Sequence, residues 1–473
     1  MFALRIFFAG LLFFSDMAKA TFFTRDRSFY KAFFSMMIVV ALQNVVAYSV
    51  NMADNIMLGS YSQEALSGAA TVNQVFFIVQ QFAISFGNAL VAIAAQYWGQ
   101  KRENPVRTLT GITLKLGAAV GVVLIIVCAI IPRKIVGIFT TSQAIIDEGE
   151  KYLLIIMWTF LLYFISQILM AALRVVGTVK ISFYISIISL IINVGINYCL
   201  IFGKFGMPEL GIVGAGIGTF IARIVELVIV IIYIAKFEKK ISFFRKGLFT
   251  NSKELTKDYM KIYFPIFCAS VLWGLSVPVQ TAILGHLSDD AIAANSVATT
   301  FYQYLKVVVV AMSSTSAVMI GNAIGKGDLE RVKSDARTMA VLDLAVGVFL
   351  ALLLVILKNP LLTLYNLSDS ALTMAGNLIL IMAIVMVGMS YQMPVSFGIM
   401  QGAGDANFTM KMNLISTWII VVPLSFMAAF WWKLPVEWVV VVVQSDQIFK
   451  CLPVFIHFIK YKWIKKLTRD EEV

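Results

Sequence analysis

The chain has 473 residues, 60% of them hydrophobic and only 14% charged. Soluble proteins carry about 25% charged residues, and the deficit here is spread along the whole sequence. That excludes a soluble domain with a single anchor and points to a polytopic helical membrane protein. The net charge of +12 would suit a nucleic-acid binder in a soluble protein, but the basic residues cluster between apolar runs and mark a membrane face instead.

Residues 2–14 are apolar with one arginine and are too short to span a bilayer. Arg25, Arg27 and Lys31 follow without a convincing cleavage site. Residues 1–31 therefore read as an interfacial or disordered cytoplasmic leader and not as a signal peptide. Twelve spans follow, near 33–57, 72–97, 109–131, 152–173, 181–202, 212–235, 262–285, 292–320, 337–357, 371–398, 408–432 and 436–460. Their apolar runs are continuous, whereas barrel strands would alternate.

Basic residues alternate by loop. Lys101, Arg102 and Arg107 lie between spans 2 and 3, and Arg174 and Lys180 between spans 4 and 5. Eight Lys and Arg residues lie between Lys236 and Lys261, and four between Lys326 and Arg337. The loop after span 7 has Asp289 and Asp290 and neither Lys nor Arg. The positive-inside rule puts both termini and the 236–261 segment in the cytoplasm.

The chain repeats itself. Leu58-Gly59 followed by Glu64-Ala-Leu-Ser-Gly68 matches Leu284-Gly285 followed by Asp290-Ala-Ile-Ala-Ala294, a shift of 285 − 59 = 226 positions. Gly99 meets Gly325 at that shift, and with one more position Arg174-Val-Val-Gly177 meets Gln401-Gly-Ala-Gly404. The expected fold is an all-α membrane protein of twelve transmembrane helices in two six-helix lobes. Six is even, so the lobes insert alike and are related by a pseudo-two-fold axis along the membrane normal. The expected divisions are a leader 1–31, an N-lobe 32–235, a cytoplasmic linker 236–261, a C-lobe 262–461 and a cytoplasmic tail 462–473.

The first lobe carries the polar chemistry. Asp54 is the only acid of the first long apolar run, and an intramembrane carboxylate is a functional-site hypothesis by default. Gln43, Asn51 and Asp54 fall in one narrow helical sector. Asn193 and Asn197 share a face of span 5, and Gln74, Gln81 and Asn88 recur at heptad spacing on span 2. The repeat counterparts of Asp54, Asn193 and Asn197 are Gln280, Ile420 and Leu424, so the cluster belongs to one lobe. A carboxylate with several amide oxygens suits Na⁺ or a proton as coupling ion. The bland alternative is that Asp54 bonds within its own helix and that the two asparagines are interhelical glue.

The sequence resembles the multidrug and toxic compound extrusion (MATE) family. The segments that carry the resemblance are Asp54-x-x-Met-Leu-Gly59 with Ala65-Leu-Ser-Gly-Ala69, Gly99-Gln-x-Arg-x-Asn104, Arg174-Val-Val-Gly177, Asn193-x-x-x-Asn197 leading to Gly203-Lys-Phe-Gly206 and Gly216, and the echoes in the second half. It covers about residues 30–465. It implies a secondary antiporter that exports cationic, amphipathic organic compounds in exchange for Na⁺ or H⁺ by alternating access, as a monomer in the cell membrane. It further implies that Asp54, Asn193, Asn197 and Thr219 bind the coupling cation, with Na⁺ as the candidate metal at Asp54 and no other cofactor.

Some positions depart from the pattern. Trp273 and Ser390 stand where NorM-like members carry second-lobe acids, and Val39 stands where many have a span-1 proline. The second half has charges of its own, Lys306, Asp343 and Asp446, for which either acid is a candidate partner of the lysine. Arg223 and Glu226, at i and i+3, are expected to pair. His286 and His457 lie at span ends and read as interfacial. Tyr48, Phe76, Gln280, Tyr302 and Tyr391 are candidates for a substrate cleft. Pro278, Pro394, Pro423 and Pro453 make the second lobe the more bent one.

The runner-up reading is a flippase for a lipid or a lipid-linked oligosaccharide, which would need several bases in its cavity. A channel would conduct without coupling. No H-E-x-x-H cluster or Walker-type loop is present, so neither an intramembrane metalloenzyme nor an ATP-driven pump is expected, and nucleic acid is not an expected partner.

Overall fold

The computed structural model describes residues 23–242, 248, 250, 252–285, 289–363 and 368–469. Its helices in chain order are α1 Arg27–Tyr61, α2 Gln63–Gly99, α3 Glu103–Ile130, α4 Gln143–Ile156, α5 Trp158–Val175, α6 Lys180–Phe202 and α7 Ile212–Lys236. They continue as α8 Lys253–Gly285, α9 Asp289–Lys326, α10 Leu329–Leu362, α11 Asp369–Met400, α12 Ala406–Trp431 and α13 Val436–Ile459. Twelve of them are long and apolar enough to cross a membrane. The expected span 152–173 is broken at Met157, so α4 and α5 share it.

Local chemistry sets the helix ends. Ser62, between α1 and α2, is extended and accepts a hydrogen bond from the Ala65 amide at 3.0 Å. Asp328 and Ser368 cap α10 and α11 in the same way, accepting from the amides of Arg331 and Ala371. Gly211 opens α7 at φ 54°, and a Cβ there would lie 2.6 Å from the Tyr61 ring, so both backbone and space require glycine.

The packing is that of a bilayer protein. On α3, Gly117, Gly121, Ile125 and Cys128 are buried while Val122, Val123, Ile126, Val127 and Ile130 are exposed. On α10, Val341, Leu344, Val348, Leu352 and Val355 are exposed in the same manner. Apolar faces of this extent would aggregate in water, and in a bilayer they are the lipid-facing surface.

The described chain divides into two compact units, one from residues 42–263 with 469 and one from residues 23–41 with 264–468. In the first, the buried Arg107 ties α3 to the segment after α7: its guanidinium donates to Asn104 Oδ1 at 2.8 Å, to Glu103 and to the Ile241 carbonyl. Arg469 closes the same unit by pairing with Asp258 at 2.6 Å.

The second unit holds the start of the described chain firmly. The Thr24 amide donates to Thr338 Oγ1 at 2.9 Å, its hydroxyl donates to Asp335, and Arg331 pairs with Asp26 at 2.8 Å. The described part of the expected leader is therefore built into the fold, because its polar groups find partners on α10. Among the described residues, wide π-helical turns occur only in this unit, at Pro394–Met400 in α11 and at Leu414–Val421 and Met427–Trp431 in α12. Proline lacks the N–H that a regular turn uses, and Pro394 and Pro423 lie in or beside these stretches.

Candidate cation-binding site

Three helices of the first unit bring the expected residues together. Asp54 sits on α1, one turn before Leu58, and both are buried. Asn193 and Asn197 lie one turn apart on α6, at 1% and 0% exposure. Thr219 lies on α7 beside Gly218. The Asn197 amide Nδ2 donates to Asp54 Oδ1 at 2.6 Å and lies 3.4 Å from Asn193 Oδ1. The Asn193 amide donates to Thr219 Oγ1 at 3.1 Å. The four residues thus form one chain of side-chain contacts across α1, α6 and α7.

Gly218 makes room for this chain. A Cβ at that position would lie 1.9 Å from Asn197 Oδ1. That same oxygen is buried and accepts no hydrogen bond among the described residues. A buried amide oxygen left without a donor costs stability. The surrounding atoms are a carboxylate, two amide oxygens and a hydroxyl, which suits a hard monovalent ion or a proton. Among the described residues no group of three His, Cys, Asp or Glu side chains is placed to hold a metal, so the cluster does not have the make-up of a transition-metal site.

A second layer surrounds the cluster. Tyr152 of α4 stands beside Thr219 and within electrostatic reach of Asp54. Arg223 of α7 is also within reach of Asp54. It pairs with Glu226 at 2.6 Å, as the i, i+3 spacing suggests, and lies 5.0 Å over the Tyr163 ring. Glu226 thereby neutralises a guanidinium that would otherwise repel a bound cation. Tyr152 and Tyr163 were not singled out in the sequence. Nothing in a linear pattern places a fourth-span tyrosine beside a first-span acid.

The other expected site residues fall elsewhere. Asn51 shares the helical sector of Asp54 but is exposed and stands outside the chain of contacts, because only a narrow stripe of α1 is buried. Gln43 directs its amide at Met170 Sδ, 3.8 Å away. Gln81 is buried and Asn88 half-buried on α2, and no hydrogen bond joins either to Asp54. Phe76 packs against Phe160 and Tyr163 at 6.0 and 5.4 Å. Tyr48 is exposed. His286 lies outside the described residues.

In the second unit the expected grouping of Lys306, Asp343 and Asp446 is not one ion cluster. Asp446 pairs with Lys450, one turn away at 2.7 Å, and also accepts from Gln447 at 2.8 Å. Lys450 donates in addition to Asn413 Oδ1 at 3.1 Å. Lys306 instead lies 4.7 Å over the Trp273 ring. Asp343 is fully buried, and neither carboxylate oxygen has a hydrogen-bond partner among the described residues. The physical reason for the correction is proximity: a lysine at i+4 on the same helix outcompetes one on another helix.

His457 lies two residues before the end of α13 and has close partners. It stacks on Phe408 at 4.0 Å, and its Nε2 lies 2.7 Å from Asp405. Lys465 completes that contact at 2.7 Å. Burial raises the Asp405 pKa, but the hydrogen bonds from His457 and Lys465 outweigh it and hold the carboxyl below its usual range. Gln280 is half-buried. Tyr302 is buried, with its hydroxyl 2.9 Å from Met389 Sδ. Tyr391 lines an apolar cavity of about 850 Å³ within the second unit, together with Arg337, Leu344 and Phe455.

A sequence profile of the family MatE matches residues 40–199 and 265–427. The chain is 25% identical over 433 residues to the probable multidrug resistance protein NorM of Thermotoga maritima, covering 90% of this chain and 92% of that one. It is 24% identical over 403 residues to the multidrug resistance protein MdtK of Edwardsiella ictaluri, covering 84% and 87%. A crystal structure of a mutant of the Vibrio cholerae MATE transporter VcmN superposes with a TM-score of 0.84 at 16% identity, covering 93% of this chain and 98% of that one.

Proposed function

The chain belongs to the MatE family, and on that premise we propose that it is a secondary antiporter that exports organic compounds in exchange for Na⁺ or H⁺. The observation that carries the proposal is the contact chain from Asp54 through Asn197 and Asn193 to Thr219, with its one buried oxygen lacking a donor. Asp54 supplies the charge, and the amides and the hydroxyl supply neutral oxygen ligands. Because the four residues come from α1, α6 and α7, they hold a cation only when those helices are correctly placed. Binding then favours one conformation over another, which is the differential affinity that coupling requires.

In this reading the protein acts as a monomer in the cell membrane, with both termini and the segment 236–261 in the cytoplasm, where the Lys-rich loops lie. The exported compounds are amphipathic, in keeping with the multidrug resistance named for the relatives. The test is efflux of a fluorescent dye from proteoliposomes under a Na⁺ gradient and a pH gradient imposed separately. One of the two is expected to drive efflux. Equal efflux with neither gradient would show a passive pore and end the proposal.

A further inference from the structure

Lys306 is a charge in the second unit that no ion pair among the described residues explains. It lies on α9, 306 − 294 = 12 residues into the apolar span that begins at Ala294, and Trp273 lies 284 − 273 = 11 residues before the end of the span that closes at Leu284. Both helices exceed the roughly 20 residues that cross a hydrocarbon core, and both residues lie more than ten residues from either end of their apolar spans. An ammonium at that depth needs partners.

Its neighbours do not supply a carboxylate. Asp446 is the acid whose field reaches Lys306, but it has given its oxygens away. Oδ2 accepts from Lys450 at 2.7 Å and Thr417 at 3.4 Å, and Oδ1 accepts from Gln447 at 2.8 Å. Among the described residues no ion pair involves Lys306. The Tyr302 hydroxyl, one turn before Lys306, is engaged with Met389. What Lys306 does have is the face of Trp273, 4.7 Å away, and both side chains are only half-buried. An ammonium with three donors, held beside an indole and bonded to no carboxylate among the described residues, is half of a recognition site for an anion.

We propose that Lys306, positioned by the Trp273 ring, forms a subsite for an organic anion, taking the carboxylate of an amphipathic aromatic compound on its ammonium. The proposal rests on the export reading and names its substrate class. It moves that class from simple organic cations to compounds that carry a carboxylate, with or without a cationic group. The Lys450–Asp446 pair is neutral overall, so it offers Lys306 no net negative charge, which a substrate carboxylate would supply.

The test uses a matched pair of dyes, rhodamine B with its free carboxylate and rhodamine B methyl ester. Binding of each to the purified full-length protein in phosphatidylcholine nanodiscs is followed by fluorescence anisotropy, with no ion gradient present. The wild type is expected to bind the acid about tenfold more tightly than the ester. Lys306→Gln and Lys306→Met should each abolish the difference, and Lys306→Arg should keep it. Equal binding, tighter binding of the ester, no binding of either dye, or a preference that survives both neutral replacements would overturn the assignment. Because the measurement needs no gradient, its failure is distinct from a failure of cation coupling.

Discussion

Each unit carries a buried acid network, around Asp54 in the first and Asp446 in the second, and the two are built on opposite principles. In the first, Asp54 is held by an amide donor, and no ammonium or guanidinium bonds to it. In the second, Asp446 is locked to Lys450 and buttressed by Gln447 and Asn413. A carboxylate held by neutral groups keeps its charge available for an incoming cation. A carboxylate paired with a lysine has already spent it. The first network is a place to load an ion and the second is a fixed strut, although the two halves of the sequence repeat one another.

Breaking the strut should have the largest effect on stability. Asp446→Asn leaves the buried Lys450 without its counter-charge, and loss of one partner of a buried pair costs about 3–5 kcal/mol. The expected outcome is a large fall in Tm in detergent, partly recovered in the double variant Asp446→Asn/Lys450→Gln, which removes the orphaned charge. If the single and double variants melt alike, the pair is not the strut described.

Gly218→Ala sharpens the other side of the comparison. Its Cβ would meet Asn197 Oδ1 at 1.9 Å, so the amide must swing away from Asp54. Overpacking of this kind costs about 1–3 kcal/mol. Gradient-driven efflux should fall far more than the amount of folded protein does. A loss of protein with normal efflux per molecule would separate Gly218 from the cation cluster.

The smallest effect concerns Asp405, whose carboxyl is held below the usual range by His457 and Lys465. A depressed folded pKa stabilises the protein above the unfolded value of about 3.9, and the benefit is lost as pH falls through the folded value. A Tm series between about pH 6 and pH 3 should fall less steeply for Asp405→Asn than for the wild type. Parallel curves would show that the Asp405 contacts carry no such linkage.

The fold was legible in the sequence because bilayers demand continuous apolar runs, and α1 to α13 follow those runs with small shifts at their ends. The core of the candidate site was legible too. Asn193 and Asn197 share a helical face by their spacing alone, and the absence of their kind from the second half marked them out. The sequence was less informative where partners lie on different helices. Tyr152 reaches the cluster from α4, and no spacing rule connects it with Asp54. Asn51 shows the converse: helical geometry places it near Asp54, but the bundle decides which part of that sector is buried, and Asn51 is exposed. Lys450 was in principle readable, four residues after Asp446 on one helix. Lys306, on another span, forms no ion pair with Asp446 among the described residues.

The most direct measurement compares Asp54→Asn with the double variant Asp446→Asn/Lys450→Gln in the same proteoliposomes, with dye efflux under the driving gradient normalised to folded protein. The account predicts that Asp54→Asn abolishes gradient-driven efflux, while the double variant retains most of it. Undiminished efflux in Asp54→Asn, or equal loss in both, would contradict the claim that the first unit alone loads the cation.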